Sequence, residues 1–137
     1  ITVEHSYEPI AGGSVGGMLT PEYRKESEYF AEYQANYCID SAFLKGFDKR
    51  ISAERAKAKA RGDDYGVAYT EHWLDYVLKS GANWKGPIKD FRLVVDKEKS
   101  VNLLSFCMDG VKKISPTRFE VRKSNFEPSS DCRVLRP

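Results

Sequence analysis

The stretch Thr70–Ser100, TEHWLDYVLKSGANWKGPIKDFRLVVDKEKS, decides how the second half of this chain folds. On each side of its linker SGANWKGP, apolar side chains alternate with polar ones, a period that is typical of strands with one buried face. The alternating apolar residues are Leu74, Tyr76 and Leu78 before the linker and Phe91, Leu93 and Val95 after it. The pattern predicts a strand over Glu71–Leu78 and a second strand after the linker, joined as a wide hairpin or as a crossover between two sheets.

The same period of two recurs toward the C-terminus. In TRFEVR, Phe119 and Val121 share one face while charged side chains take the other, as expected of a strand with one wet face. Shorter candidate strands are Leu103–Phe106 and Cys132–Leu135. A run of strands joined by polar turns favours a mainly antiparallel sheet or sandwich.

In the N-terminal region, a segment in which apolar and polar residues alternate is followed by a glycine-rich segment. Residues 1–8, ITVEHSYE, alternate with period two, which predicts that the chain begins inside a strand. Residues 9–19, PIAGGSVGGML, contain four glycines and are typical of a loop. Because the chain opens on Ile1 without an initiator Met, we expect it to be a trimmed piece of a longer precursor.

Helical signals occupy about residues 20–62. Thr20 followed by Pro21 is a typical helix start, Asp40 is a second candidate N-cap, and Gly62 is a natural stop. Helical spacing relates Phe30, Tyr33 and Tyr37 in the first part and Phe43, Leu44, Phe47 and Ile51 in the second. We interpret both sets as packing faces, since aromatic and aliphatic stripes of this kind cover a core.

The length favours one domain over residues 1–137. We predict an α+β fold, a mainly antiparallel sheet or sandwich at about 67–136 with the helical insertion at about 20–62. The net charge of +2 arises from 22 basic and 20 acidic residues, so no field strong enough to gather nucleic acid is expected. No apolar run approaches the roughly 20 residues that span a bilayer, so we expect no membrane span.

Several irregular strings carry a resemblance that covers most of the chain. They are VEHSYEP, GGSVG, YCIDSAF, WLDYVLKSGANWKGPIKDFRLVVDK, LLSFCMDGVKKISPTRFEVRKSNFEP and DCRVL. The helical stretches at about 18–35 and 49–66 lie outside them. The chain resembles the C-terminal half of a family of exported bacterial proteins of uncharacterised function. The resemblance implies a precursor with a signal peptide, a β-rich half upstream, a secreted or periplasmic location and no assigned chemistry.

The resemblance also bears on the three cysteines of the chain. Cys38 and Cys107 lie within the shared strings, whereas family members usually carry an aliphatic residue at the position of Cys132. An exported chain with three cysteines leaves one thiol over, so the resemblance implies a Cys38–Cys107 disulfide. The alternative is three reduced thiols in a cytosolic protein. A zinc site is disfavoured, because no C-x-x-C spacing exists and the chain has only two histidines.

The features above favour a non-catalytic binding or structural module without metal or cofactor. Candidate binding residues are Trp84, Asn83, Tyr69 and His72. We expect Trp84 to cover an edge of the core, since large aromatics are highly buried on average; the alternative is an exposed contact residue. The partner is not identified by the sequence. It is either the upstream half of the same protein or another protein, bound through a sheet edge.

The alternative function is a hydrolase-type enzyme that uses His72 with nearby carboxylates or a free Cys38. The spacing disfavours a ready-made catalytic set. On a strand, His72 shares a face with Leu74, whereas Glu71 and Asp75 lie on the opposite face. A lone histidine on an apolar face is more often a hydrogen-bonded core residue, so no catalytic residue is assigned.

Overall fold

A computed structural model describes residues 1–63 and 67–137 of the chain. The helices there are α1 (Pro21–Glu26), α2 (Phe30–Tyr37) and α3 (Ser41–Ala60). The strands there are β1 (Gly12–Val15), β2 (Thr70–Tyr76), β3 (Ile88–Asp96), β4 (Ser105–Phe106), β5 (Lys112–Lys113), β6 (Arg118–Phe126) and β7 (Cys132–Arg136). Every strand pair is antiparallel. The predicted α+β class is confirmed.

The strands form two sheets, and the linker after β2 joins one sheet to the other. The first sheet has the order β1-β2-β7-β4, and the second has the order β3-β6-β5. Since β2 and β3 lie in different sheets, the hairpin alternative is wrong and the crossover is confirmed. Phe106 of β4 meets Phe119 of β6 edge to face, with ring centroids 6.3 Å apart, so apolar side chains of the two sheets are in contact.

Strand β2 confirms a strand in the predicted place, although it ends at Tyr76 rather than at Leu78. The cause of the early end is the carboxylate of Asp131, which accepts hydrogen bonds from the backbone amides of Leu78 and Lys79 at 2.9 and 3.0 Å. These bonds begin a short 3-10 helix, Lys79–Asn83, in place of further pairing.

The helices pack on the face of the first sheet that carries Leu135. The buried cluster consists of Leu19, Ile39, Phe43, Phe47, Ile51 and Leu135. Both predicted helix starts are confirmed, because the side chains of Thr20 and Asp40 accept hydrogen bonds from the amides of Tyr23 and Phe43. The third helix ends beside Gly62, whose φ of +78° is accessible to glycine without strain. The predicted packing faces therefore do line the core.

Two predictions for the N-terminal region are wrong. Residues 1–11 are exposed and form no regular structure, because alternation alone does not make a strand without a neighbour to pair with. The glycine-rich segment, predicted as a loop, contains β1, which pairs with β2. Glycine allows close approach at Gly13, since a Cβ there would lie only 3.3 Å from the carbonyl oxygen of Glu71 on β2.

Helix α2 is fixed to the sheet at its C-terminal end by a covalent bond. Cys38 follows the helix with φ of +52°, and the amide of Ile39 donates to the carbonyl of Gln34, which is a Schellman-type end. Cys38 and Cys107 form a disulfide with Cα atoms 5.1 Å apart. The buried hydroxyl of Ser105 donates to the last turn of the helix, with the carbonyl oxygens of Tyr37 and Cys38 at 2.8 and 3.1 Å. The disulfide implied by the resemblance is thus confirmed, and Cys132 is a buried free thiol.

We predict that the Cys38→Ala/Cys107→Ala variant loses about 4 kcal/mol of unfolding free energy, because the bond closes a loop with a sequence separation of 69. Urea denaturation with and without reductant measures the loss. The wild-type protein under reductant should match the double variant. Denatured, unreduced protein should show one reactive thiol, and a peptide map that linked Cys132 to either partner would contradict the assignment.

Candidate functional site

The strongest polar cluster surrounds Glu71, whose side chain is 0% exposed. Its two carboxylate oxygens accept hydrogen bonds from the phenols of Tyr33 and Tyr69, at 2.5 and 2.8 Å. Each phenol oxygen accepts a further bond, from the indole Nε1 of Trp73 at 2.9 Å and from the amide of Leu19 at 3.1 Å. Every donor in this Glu71 network has a partner, so the buried carboxylate is held in place by hydrogen bonds.

The loop before α1 closes over the Glu71 network. A Cβ built on Gly17 would overlap the carboxylate of Glu71, so only glycine leaves room for the side chain at this position. Burial raises the pKa of the Tyr33 and Tyr69 phenols, and their hydrogen bonds to Glu71 raise it further. Both phenols therefore stay protonated donors at neutral pH. The network is enclosed and saturated, which suits a structural role.

Sequence reasoning did not find this network. It named Glu71 as a carboxylate near His72 and named Tyr69 as a binding candidate. The usable signal was a glutamate on a strand flanked at positions i−2 and i+2 by Tyr69 and Trp73, so that three polar-tipped side chains share one face. The fourth member, Tyr33, comes from α2 and leaves no local signal.

The structure separates the four predicted binding residues. Trp84 is 60% exposed and follows Asn83, also exposed, in the linker after β2. The expectation that Trp84 covers the core is therefore wrong, because this side chain, in the linker that crosses from one sheet to the other, lies mostly in solvent. Tyr69 precedes β2, and its hydroxyl is engaged by Glu71. His72 lies on the other face of β2, so neither residue joins the pair in the linker.

The enzyme alternative loses one of its nucleophiles, because Cys38 is held in the disulfide. Burial, followed by the negative charge of Asp75, raises the pKa of the Cys132 thiol to about 11, which disfavours the reactive thiolate. The Nδ1 of His72 is buried without a hydrogen-bond partner among the described residues. Its flanking acids, Glu71 and Asp75, lie on the opposite face of β2, as predicted.

Two further observations concern ligands and membranes. Within residues 1–63 and 67–137, no group of three His, Cys, Asp or Glu side chains is arranged to hold a metal ion. In the same part of the chain, no helix combines the length and the apolar character needed to cross a bilayer.

A hollow of about 390 Å³ between α1 and α2 is lined by residues of the segment Tyr23–Tyr29, and His72 is not among them.

The outer edge of β3 is the longest unpaired strand edge in the described chain. β3 spans nine residues and pairs on one side only, with β6. Just past β3, the amide of Lys97 donates to the carbonyl of Thr117 at 2.9 Å. Because backbone direction alternates along a strand, the odd-numbered residues of β3 face β6 in this register. The N–H and C=O groups of Arg92, Val94 and Asp96 therefore point away from the sheet.

Comparison with known proteins identifies the family. Residues 1–135 match the family described as "Domain of unknown function (DUF4424)". The chain belongs to this family. No curated protein and no solved structure matches it. The DUF4424 match also includes the helical stretches at about 18–35 and 49–66, which the resemblance did not cover, so the helices are part of the domain.

In this DUF4424 chain, we predict that Gly17→Ala lowers the unfolding free energy by about 1–3 kcal/mol, because the added methyl displaces Glu71 from its two phenols. Gly12→Ala is the control and should cost less, since its Cβ meets Trp73 at an ordinary contact distance. Denaturation of Gly17→Ala, Glu71→Ala and the double variant should give losses that are less than additive. Strict additivity would contradict the contact.

We also predict a steep loss of stability in alkali. Each raised phenol pKa means that the folded state binds a proton more tightly than the unfolded state, whose tyrosines titrate near pH 10. This contribution is complete below about pH 10 and is lost as the pH rises further. Urea midpoints across this range should fall less steeply for Tyr33→Phe. Tyr29→Phe, at an exposed phenol, is the control, and equal slopes for the three proteins would refute the assignment.

Proposed function

We propose that this chain is an exported bacterial module without catalytic activity, and that it works by binding another polypeptide along a sheet edge. The observation that carries the binding role is the edge of β3, where three consecutive outward-facing residues offer backbone donors and acceptors. Exposed strand edges are the usual acceptors for an added strand. The exposed Trp84 and Asn83, in the linker just before β3, would contact the side chains of the added segment.

The disulfide supports the proposed location. Bonds such as Cys38–Cys107 form and persist in the oxidising space outside the cytoplasm, whereas cytosolic thiols are kept reduced. Cys38 has a left-handed backbone, and the disulfide together with the hydroxyl of Ser105 holds that backbone in place. A secreted or periplasmic location is therefore part of the proposal.

The hydrolase alternative receives no support from a specific contact. Its remaining candidate, His72, has no carboxylate partner among the described residues, and its Nδ1 is buried. The Glu71 network uses both oxygens of the nearest acid in sequence. We therefore propose a binding role and not a hydrolase activity.

The location is tested by expressing the complete gene product in a bacterium, fractionating the cells and trapping thiols with a maleimide before lysis. We expect the protein outside the cytoplasm, with Cys38 and Cys107 protected until reduction and Cys132 labelled only after denaturation, because its thiol is buried. The Cys38→Ala/Cys107→Ala variant is the control and should show the same labelling with and without reductant. A cytoplasmic protein with three labelled cysteines would overturn the proposal.

A further inference from the structure

The edge of β3 is neither short nor interrupted, although it carries charged side chains, which also protect exposed strands. Natural edges are shortened, interrupted by proline or bent by a bulge. The segment Asp90–Asp96 contains no proline, and its register with β6 runs without a break from Asp90 to Asp96. The side chains of Arg92, Val94 and Asp96 are exposed on the outer face of the strand. An edge of this kind is open, from Asp90 to Asp96, to a partner strand whose charges complement its own.

The order of charges along this edge is self-complementary. In an antiparallel pair of two β3 strands centred on Val94, each Val94 lies opposite the Val94 of the second copy. Arg92 then lies opposite the second copy's Asp96, and Asp96 lies opposite its Arg92. Within one copy Arg92 already pairs with Glu120 and Asp96 with Arg118, both on β6, so the contact between copies extends a row of alternating charges. All three residues direct their backbone groups outward, so each of these pairs forms two N–H···O=C bonds. On the inner face, Leu93 meets Val95 of the second copy and extends the apolar surface.

Neighbouring registers are less favourable. A centre at Arg92 places two guanidinium groups opposite each other, and a centre at Leu93 places Asp90 opposite Asp96. Like charges directly across a strand pair are destabilising. A centre at Val95 places Val94 opposite Asp96 and loses the apolar pair. Over Arg92–Asp96, the Val94 register alone among these four matches opposite charges and apolar groups together. It also places Asp90 opposite Glu98, but Glu98 lies past the end of β3 with a φ of +67°, outside the paired segment.

We infer that two copies of this chain pair through the outer edge of β3, antiparallel, about a twofold axis at Val94. The inference rests on the proposed binding function, because it names the partner as a second copy of the chain. The result is a continuous six-stranded sheet built from β5, β6 and β3 of each copy. Such a contact is isologous, so it closes as a dimer and does not propagate into fibres.

The first test replaces the central side chain. Val94→Lys places two ammonium groups opposite each other and should weaken the dimer at least about tenfold. Val111→Lys is the matched control, since the two valines are 38% and 37% exposed and Val111 precedes β5 at the other edge of the same sheet. Sedimentation velocity from micromolar to millimolar protein measures the dissociation constant against a monomer mass of 15.6 kDa. Circular dichroism verifies that both variants fold.

The second test reads the register. In a Cys132→Ala background, Val94→Cys places two thiols opposite each other with Cα atoms about 5.5 Å apart, within the disulfide range. Mild oxidation should give a reducible dimer. Asp90→Cys, exposed on the same strand, lies opposite a different residue in this register and should cross-link far more slowly.

A wild-type chain that stays monomeric at millimolar concentration overturns the inference, as does a dimer that Val94→Lys leaves intact or one in which Asp90→Cys cross-links as fast as Val94→Cys. These results would leave the proposed function standing if fractionation places the oxidised protein outside the cytoplasm, since the edge would then serve a different polypeptide. A cytoplasmic, reduced protein that still dimerises through Val94 would defeat the location while confirming the edge.

Discussion

The carboxylate of Glu71 is the constraint on which the helical half of this structure depends. It lies on β2 with no exposure to solvent, and its two oxygens receive the phenols of Tyr33 on α2 and Tyr69 at the start of the strand. Through Tyr69 the same network reaches the amide of Leu19, just before α1. A buried carboxyl group is tolerated only when it is hydrogen-bonded, so this one residue fixes the spacing of strand, helix and loop together.

The disulfide complements this network at the other end of α2. Tyr33 ties the middle of the helix to β2, while Cys38 ties its end to Cys107, beside β4. Because β2 and β4 flank β7 in the first sheet, the short helix is held to strands on both sides of the central one. Two anchors of different chemistry therefore set the position of α2. One is weakened when the phenols lose their protons, and the other is broken when the disulfide is reduced. An eight-residue helix would be marginal without such tertiary support.

The parts of the fold that follow local rules could be predicted from sequence, and the parts set by distant partners could not. The alternation of Phe119 with Val121 predicts a strand, and the caps at Thr20 and Asp40 predict helix starts. Each of these predictions uses neighbouring residues alone, and each is confirmed. The segment at residues 1–8 alternates equally well but has no neighbouring strand, so the same signal fails there. The disulfide was predicted from the family resemblance and not from the spacing of the cysteines. The Glu71 network contains hydrogen bonds between residues up to 50 positions apart, so no short window of the sequence contains it.

The strand order has a consequence for how the chain reaches this state. The last strand, β7, lies in the interior of the first sheet between β2 and β4, and Leu135 belongs to the buried cluster. The first sheet cannot close until β7 has been synthesised, because β2 and β4 have no strand between them before then. Long-range pairing of this kind slows folding.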